Sequence, residues 1–98
     1  MITYEVTSTV SDELAGQYDA YMLDRHIEEV VAAGNFVSAT YYRSGPNRRT
    51  IYEARDQASL DRYLSGEADR LRKDFLDHFP EGVSIIRENW EVFALFSE

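Results

Sequence analysis

Three side chains in this 98-residue sequence are of a type, and in a setting, that could do chemistry: His26, Arg72 and Arg87. His26 lies among Met22, Ile27 and Val30 on the apolar side of a helical stretch, so its ring is expected to face a core. An imidazole there can serve as a general base, a proton shuttle or a ligand-orienting donor. The plainer account is a core histidine whose two nitrogens meet a tyrosine hydroxyl and a backbone carbonyl. Arg87 stands between Ile85 and Asn89 in an otherwise apolar strand, where a cation is costly unless it has a partner. A guanidinium in a cleft holds a carboxylate or phosphate by two parallel hydrogen bonds. Without a ligand, Arg87 would instead pair with Glu5 across the sheet, with Glu88 of a second copy, or reach the solvent rim.

Seven Tyr, five Phe and one Trp surround these groups in the chain. Tyr4, Tyr52 and Trp90 fall in strands, and Tyr18, Tyr21 and Tyr63 on helices. A helix–sheet cleft walled by such residues would take a flat aromatic molecule, with Tyr4, Tyr52 and Trp90 placing the ring. The competing use of the same residues is to fill a thin core and an interface. A cavity of ~300 Å³ or more beside His26 would favour a ligand. A cleft plugged by Phe75, Tyr63 and Trp90 would favour a structural module.

Other chemistries find little support. The two histidines, His26 and His78, are far apart in the chain, and Asp24 with Glu28 make an i,i+4 pair that normally faces solvent. No metal site and no cofactor are therefore expected. The five glycines stand singly, giving no phosphate-cradling loop, and there is no cysteine for a thiolate or a disulfide. Eighteen acids against ten bases give a net charge of −8. This argues against nucleic acid and against anionic lipid as partners. No apolar run approaches a membrane span and the first residues do not read as a signal peptide, so a cytoplasmic location is expected.

The elements that must position these groups follow from periodicity. Residues 2–10 alternate as a half-buried strand. A helix is expected from a Ser11 cap to about Ala33, ended by Gly34. Its apolar residues fall on two faces: Met22, Leu23, His26, Ile27 and Val30 on one, Leu14, Tyr18 and Tyr21 on another. Two faces imply that part of the helix meets something beyond its own sheet. Residues 36–44 and 49–55 read as a hairpin turning at Gly45, Pro46, Asn47 and Arg48. A second helical region, 58–79, carries a clean stripe through Leu60, Leu64, Ala68, Leu71, Phe75 and Phe79, with a cap at Asp56 or Ser59 and a break at Gly66. Residues 83–97 read as a last strand, apolar on both sides. Six acids on the first helix against Arg25 read as its solvated side.

The order β-α-β-β-α-β is the ferredoxin-like arrangement: one α+β domain over residues 1–98, with a four-stranded antiparallel sheet and two helices on one face. An apolar opposite face would need a cover, and a second copy packed sheet to sheet by a twofold axis is the economical one. A homodimer is expected.

The stretches MITYEVT, HIEEVVAAGNFVSATYYR, TIYEAR and YLSGEADRLRKDFLDHF resemble a small bacterial family without assigned activity. It belongs to the dimeric α+β barrel group, which includes the antibiotic-biosynthesis monooxygenases. The resemblance implies the fold and the dimer, and makes His26, Arg72 and Arg87 the positions worth following. It also implies a loss, since relatives tend to carry a histidine where this chain has Phe75. Three functions stay open: a small-molecule binding protein for an aromatic or anionic ligand, a cofactor-independent monooxygenase or isomerase using His26 as base, and a dimerising module without a ligand.

Overall fold

A computed structural model describes all residues, 1–98. The sheet is built from β1 (Ile2–Val10), β2 (Ser38–Ser44), β3 (Asn47–Ala54) and β4 (Val83–Glu91), all antiparallel, in the order β2-β3-β1-β4. Its helices are α1 (Ala15–Tyr21), α2 (Ile27–Ala32), α3 (Gln57–Ser65) and α4 (Ala68–His78). The ferredoxin-like α+β architecture expected from the sequence is the one observed. No helix is long and apolar enough to cross a membrane.

Between α1 and α2 the chain does not break. Residues Met22–His26 form one π turn, closed by the Ile27 N–H donating to the Met22 carbonyl five residues back. A π turn inserts one extra residue into a helix, so side chains beyond it are rotated relative to a regular α-helix. This dissolves the two-faced stripe. Tyr18 and Tyr21 before the turn, and Val30 after it, are all buried on the same side together with Met22, whereas Leu23 is exposed. The helix therefore needs no second surface to explain its pattern. Ser11 does not cap it either. The helix starts after a turn at residues 12–14, and the Ser11 N–H instead donates to the Gly82 carbonyl, tying β1 to the loop before β4. Gly82 is required there: its φ is +82°, and a Cβ would stand 2.6 Å from Leu14 Cδ1.

The second helical region divides as its sequence suggests. Asp56 accepts the Ser59 N–H at 2.8 Å as the α3 cap, and Gly66 ends α3 where a Cβ would meet the Arg62 carbonyl oxygen at 2.9 Å. The hairpin turn is tighter than expected, with Asn47 and Arg48 already in β3. β4 is shorter than expected and stops at Glu91. The Val92 N–H donates once to the Met1 carbonyl and the chain then leaves the sheet, with Phe93, Leu95 and Phe96 87–94% exposed.

Register assigns the two faces of the sheet. Tyr4, Val6, Ser8 and Val10 of β1 stand beside Tyr52, Thr50 and Arg48 of β3 and face the helices. Thr3, Glu5, Thr7 and Thr9 face away, alongside Arg49, Ile51, Glu53, Tyr42, Ile86 and Trp90. The outer face is thus mixed, with only Tyr42, Ile51, Ile86 and Trp90 as large apolar groups. The predicted apolar character belongs mainly to the arm beyond β4. Phe36 goes to the helix-side core, and Tyr41 reaches a carboxylate on that side.

That core has two parts. Tyr4, Phe36, Tyr52, Leu60, Tyr63 and Leu71 pack beneath α3, with Tyr4 stacked on Phe36 and Tyr52 at 6.0 and 5.8 Å between centroids. Val10, Tyr18, Tyr21, Met22, Phe75 and Phe79 pack at the other end, and Ile27 touches both. One buried cation belongs to this architecture. Arg48, 5% exposed, donates to both oxygens of Asp19 at 2.7 and 3.0 Å and to the carbonyls of Gly45 and Asn47, while the Tyr41 hydroxyl donates to Asp19 at 2.6 Å. Asp19 is thus an exception to the solvated acidic side of the first helix.

Hydrogen bonds from Arg48 hold the Asp19 carboxyl below its ordinary range. A carboxylate with a depressed folded-state pKa contributes stability above its unfolded pKa of about 3.9, and that contribution is lost as pH falls through the folded value. Asp19→Ala is expected to cost about 3 kcal/mol by leaving the buried Arg48 charge uncompensated. It should also flatten the acid limb of the stability–pH curve. Urea unfolding between neutral and acidic pH reads both, and an unchanged midpoint would refute the role given to this pair.

Candidate functional site

The seam between the two core parts holds a cavity under the π turn. Its wall is formed by Tyr4, Tyr18, Tyr52, Tyr63, Met22 and Phe75, its floor includes Val6 and Ile85, and its polar members are His26, Arg72 and Arg87. The cavity encloses about 20 Å³, the room of one water molecule. With its mouth the atom-free space is about 380 Å³. The enclosed space falls far short of a pocket ready for an aromatic ring, and Phe75 and Tyr63 do line it as the plugged alternative expected.

Five of the six expected site residues come together here. Tyr4 and Tyr52 are buried wall residues, and the Tyr4 hydroxyl accepts from the Arg72 guanidinium at 2.9 Å. Trp90 is not among them. Its even position in β4, opposite Thr3, turns it to the outer face, where it is 54% exposed. Alternation within the strand carried that information, since Arg87 and Trp90 are three residues apart and must point oppositely.

Arg72 and Arg87 are the two cations at the cavity, Arg72 half-buried and Arg87 exposed. Neither forms an ion pair; every salt bridge of the structure lies elsewhere. Arg87 stands opposite Val6 on the helix-side face of β4, a strand the helices leave largely uncovered. Its suggested partner Glu5 is on the other face, paired in register with Glu88. Arg72 reaches across from α4 with its charge centre 6.0 Å from the Tyr4 ring centroid, and its Nε–H is buried without any acceptor. An unsatisfied buried donor is uncommon in folded proteins and costs about 1–3 kcal/mol.

His26 enters from the π turn. Its ring stacks near Tyr21 (5.4 Å) and stands 5.7 Å from Phe75, the position where the resemblance had implied a second histidine. Burial in these surroundings lowers its pKa from 6.5 to about 4, outweighing the opposing charges of Glu29 and Asp74. The neutral imidazole is therefore the form present at neutral pH, able to accept a proton or a hydrogen bond. Tyr21 and Asp74, which sequence reasoning missed as site residues, lie behind it: the Tyr21 hydroxyl donates to Asp74 at 2.6 Å. Tyr21 was visible only as an apolar-stripe residue, and no local spacing links it to Asp74, 53 positions away. No group of three or more His, Cys, Asp or Glu side chains converges anywhere in the chain.

Because the folded-state pKa of His26 is depressed, the unfolded chain binds more protons between about pH 4 and 6.5. Stability is expected to fall as pH is lowered through that window, and His26→Gln should remove this part of the slope. An NMR titration of the His26 ring with a midpoint near 6.5 would contradict the buried, neutral assignment.

The fold recurs in solved structures of low identity. A dimeric ferredoxin-like protein from an uncultured marine organism superposes with a TM-score of 0.71 at 15% identity, over 97% of this chain and 97% of that one. A monooxygenase from the ActVA-Orf6 gene of Streptomyces coelicolor, crystallised with nanaomycin D, gives 0.65 at 14%, over 98% and 92%. An antibiotic biosynthesis monooxygenase gives 0.62 at 14%, over 90% and 96%. At these identities the likeness is one of fold. No curated protein matches the sequence. A family model of a domain of unknown function, DUF4286, matches residues 1–93, and the chain belongs to that family.

Proposed function

We propose that this protein binds a small anionic, aromatic molecule in the cleft between its helices and β4, and that it does so as a homodimer. The observation that carries the binding reading is the pair of cations at the cavity. Arg72 and Arg87 have no carboxylate partner in a strongly acidic chain, and the Arg72 Nε–H lacks any acceptor. A carboxylate, sulfonate or phosphate on the ligand would satisfy that donor, while the tyrosines would contact a ring. The enclosed 20 Å³ requires that lining side chains shift to admit a ring while the guanidiniums stay to meet its anion.

A second reading, a cofactor-free monooxygenase or isomerase, uses the same residues. It is supported by the placement of a neutral imidazole at the cavity beside two cations, although burial that lowers the His26 pKa to about 4 also weakens it as a base. In that reading His26 takes a proton from the substrate and Arg72 or Arg87 meets the negative charge that develops. The Streptomyces protein of the same fold is a monooxygenase that holds nanaomycin D, and this lends the reading support by analogy of fold alone.

The dimer is supported by the outer face and the arm. Glu5 and Glu88 stand directly opposite each other there, a like-charged cross-strand pair that is unfavourable in isolation. Arg49 on the same face of a second copy has the sign needed to offset it. Trp90 and Ile86, together with the exposed Phe93, Leu95 and Phe96, are apolar surface that a second copy would cover.

Binding is tested by titrating benzoate into the protein and following ring and amide resonances. Arg72→Met and Arg87→Met are each expected to weaken benzoate binding by about tenfold or more without dissociating the dimer. Normal binding by both variants would refute the anion-holding role. The assembly is tested by light scattering at micromolar concentration, where twice the chain mass is expected and the double variant Ile86→Lys, Trp90→Lys should give the monomer. A stable, non-aggregating wild-type monomer would refute the dimer.

A further inference from the structure

His26 and Tyr21 are five residues apart. In a regular α-helix that spacing turns two side chains about 140° away from each other. Here they meet, because the π turn closes with an i→i+5 hydrogen bond and brings positions five apart onto one side. The widened turn therefore has a local product: the Tyr21 hydroxyl lies 3.4 Å from His26 Nδ1.

The direction of that contact is fixed by the next one. The Tyr21 proton is committed to Asp74 Oδ2 at 2.6 Å, a short charge-assisted bond. The Tyr21 oxygen can then only accept, so a hydrogen bond across the 3.4 Å contact requires the proton on His26 Nδ1. Asp74 is itself held ionised. The Tyr21 bond and the Arg25 guanidinium, 3.1 Å from Oδ1, both favour its charged form. His78, whose ring also lies against Tyr21, spends its Nδ1 on the Asp74 backbone carbonyl at 2.8 Å. His26 Nε2 makes no hydrogen bond within the chain, and the residue lines the cavity with Arg72 and Arg87.

We propose that Tyr21 and Asp74 are positioning residues that hold His26 in its Nδ1–H tautomer, so that its Nε2 lone pair accepts a hydrogen bond from the hydroxyl of a phenol whose anionic group lies on Arg72 and Arg87. The relay deepens the binding reading given above and rests on it for the ligand. An acceptor-only nitrogen beside two cations selects a molecule that carries both an anion and an O–H donor, and disfavours one with the anion alone. The charged groups around the ring are Glu29 and Arg25 on its own helix, Asp74 on α4 and Arg87 on β4.

The relay is read on the ligand-free protein by the two ring-nitrogen NMR shifts of His26 at neutral pH. Wild type is expected to show protonated Nδ1 and unprotonated Nε2. Tyr21→Phe, which keeps the buried ring, and Asp74→Asn, at the surface, are each expected to move the population toward the Nε2–H form. A wild-type Nε2–H tautomer, or no change in both variants, overturns the relay. The ligand class is read separately with benzoate and the three hydroxybenzoates. At least one hydroxybenzoate should bind about tenfold more tightly than benzoate, with the preference lost in Tyr21→Phe. Equal binding of all four overturns the phenol assignment. If none binds while the tautomer is as stated, the binding reading fails and the relay stands.

Discussion

One wide turn sets the geometry on which both core and site depend. Without the extra residue at Met22–His26, a helix carrying Tyr18 and Tyr21 inward would turn Val30 toward solvent, or the reverse. The Ile27-to-Met22 hydrogen bond resolves that conflict within one turn, so a single helical arm fills both ends of the core. It also fixes where His26 enters and which neighbour it meets. A π turn gives up the closer packing of an α turn, so its persistence here means that the tertiary contacts around it outweigh that loss.

The second constraint is electrostatic. A chain with almost twice as many acids as bases can pair every cation it buries, and it does so for Arg48, held by both Asp19 oxygens. Arg72, half-buried, is treated differently, and Arg87 beside it is exposed on β4. They stand at an apolar, tyrosine-walled cavity, one with a donor that meets no acceptor, while nearby carboxylates are directed elsewhere: Asp74 to Tyr21 and Arg25, Glu29 to Arg25. The unsatisfied Arg72 donor and the neutral imidazole beside it are the features on which the binding proposal rests.

Much of the fold was legible because its signals are local. Alternation in β1, the Asp56 cap, the Gly66 break and the Gly34 stop each follow from one residue's conformational or hydrogen-bonding preference, and each is found in place. The π turn was legible only as an anomaly. Two apolar faces on one helix are what an inserted residue looks like at 100° per residue, but the same pattern fits a helix with two neighbours. Ser11 misled because its backbone N–H found the Gly82 carbonyl across space. In β4 composition was read where register decides, so the end of the strand and the face of Trp90 were missed. Of the residues that line the cavity, His26, Tyr4, Tyr52 and Arg87 were visible by type and position, and Arg72 through the family resemblance. Tyr21 and Asp74 were not, because their relation is made by tertiary packing of the first helical arm against α4.

In the proposed binding mode the orphaned donor at the cavity is met by an anion. The Nε–H proton of Arg72 reports on this directly in a side-chain nitrogen–proton spectrum. On addition of benzoate its signal should move strongly downfield and exchange more slowly with water, as a buried N–H does when it gains a charged acceptor. A signal that keeps its position and exchange rate at saturating benzoate, or while benzoate binds elsewhere on the protein, would contradict the account.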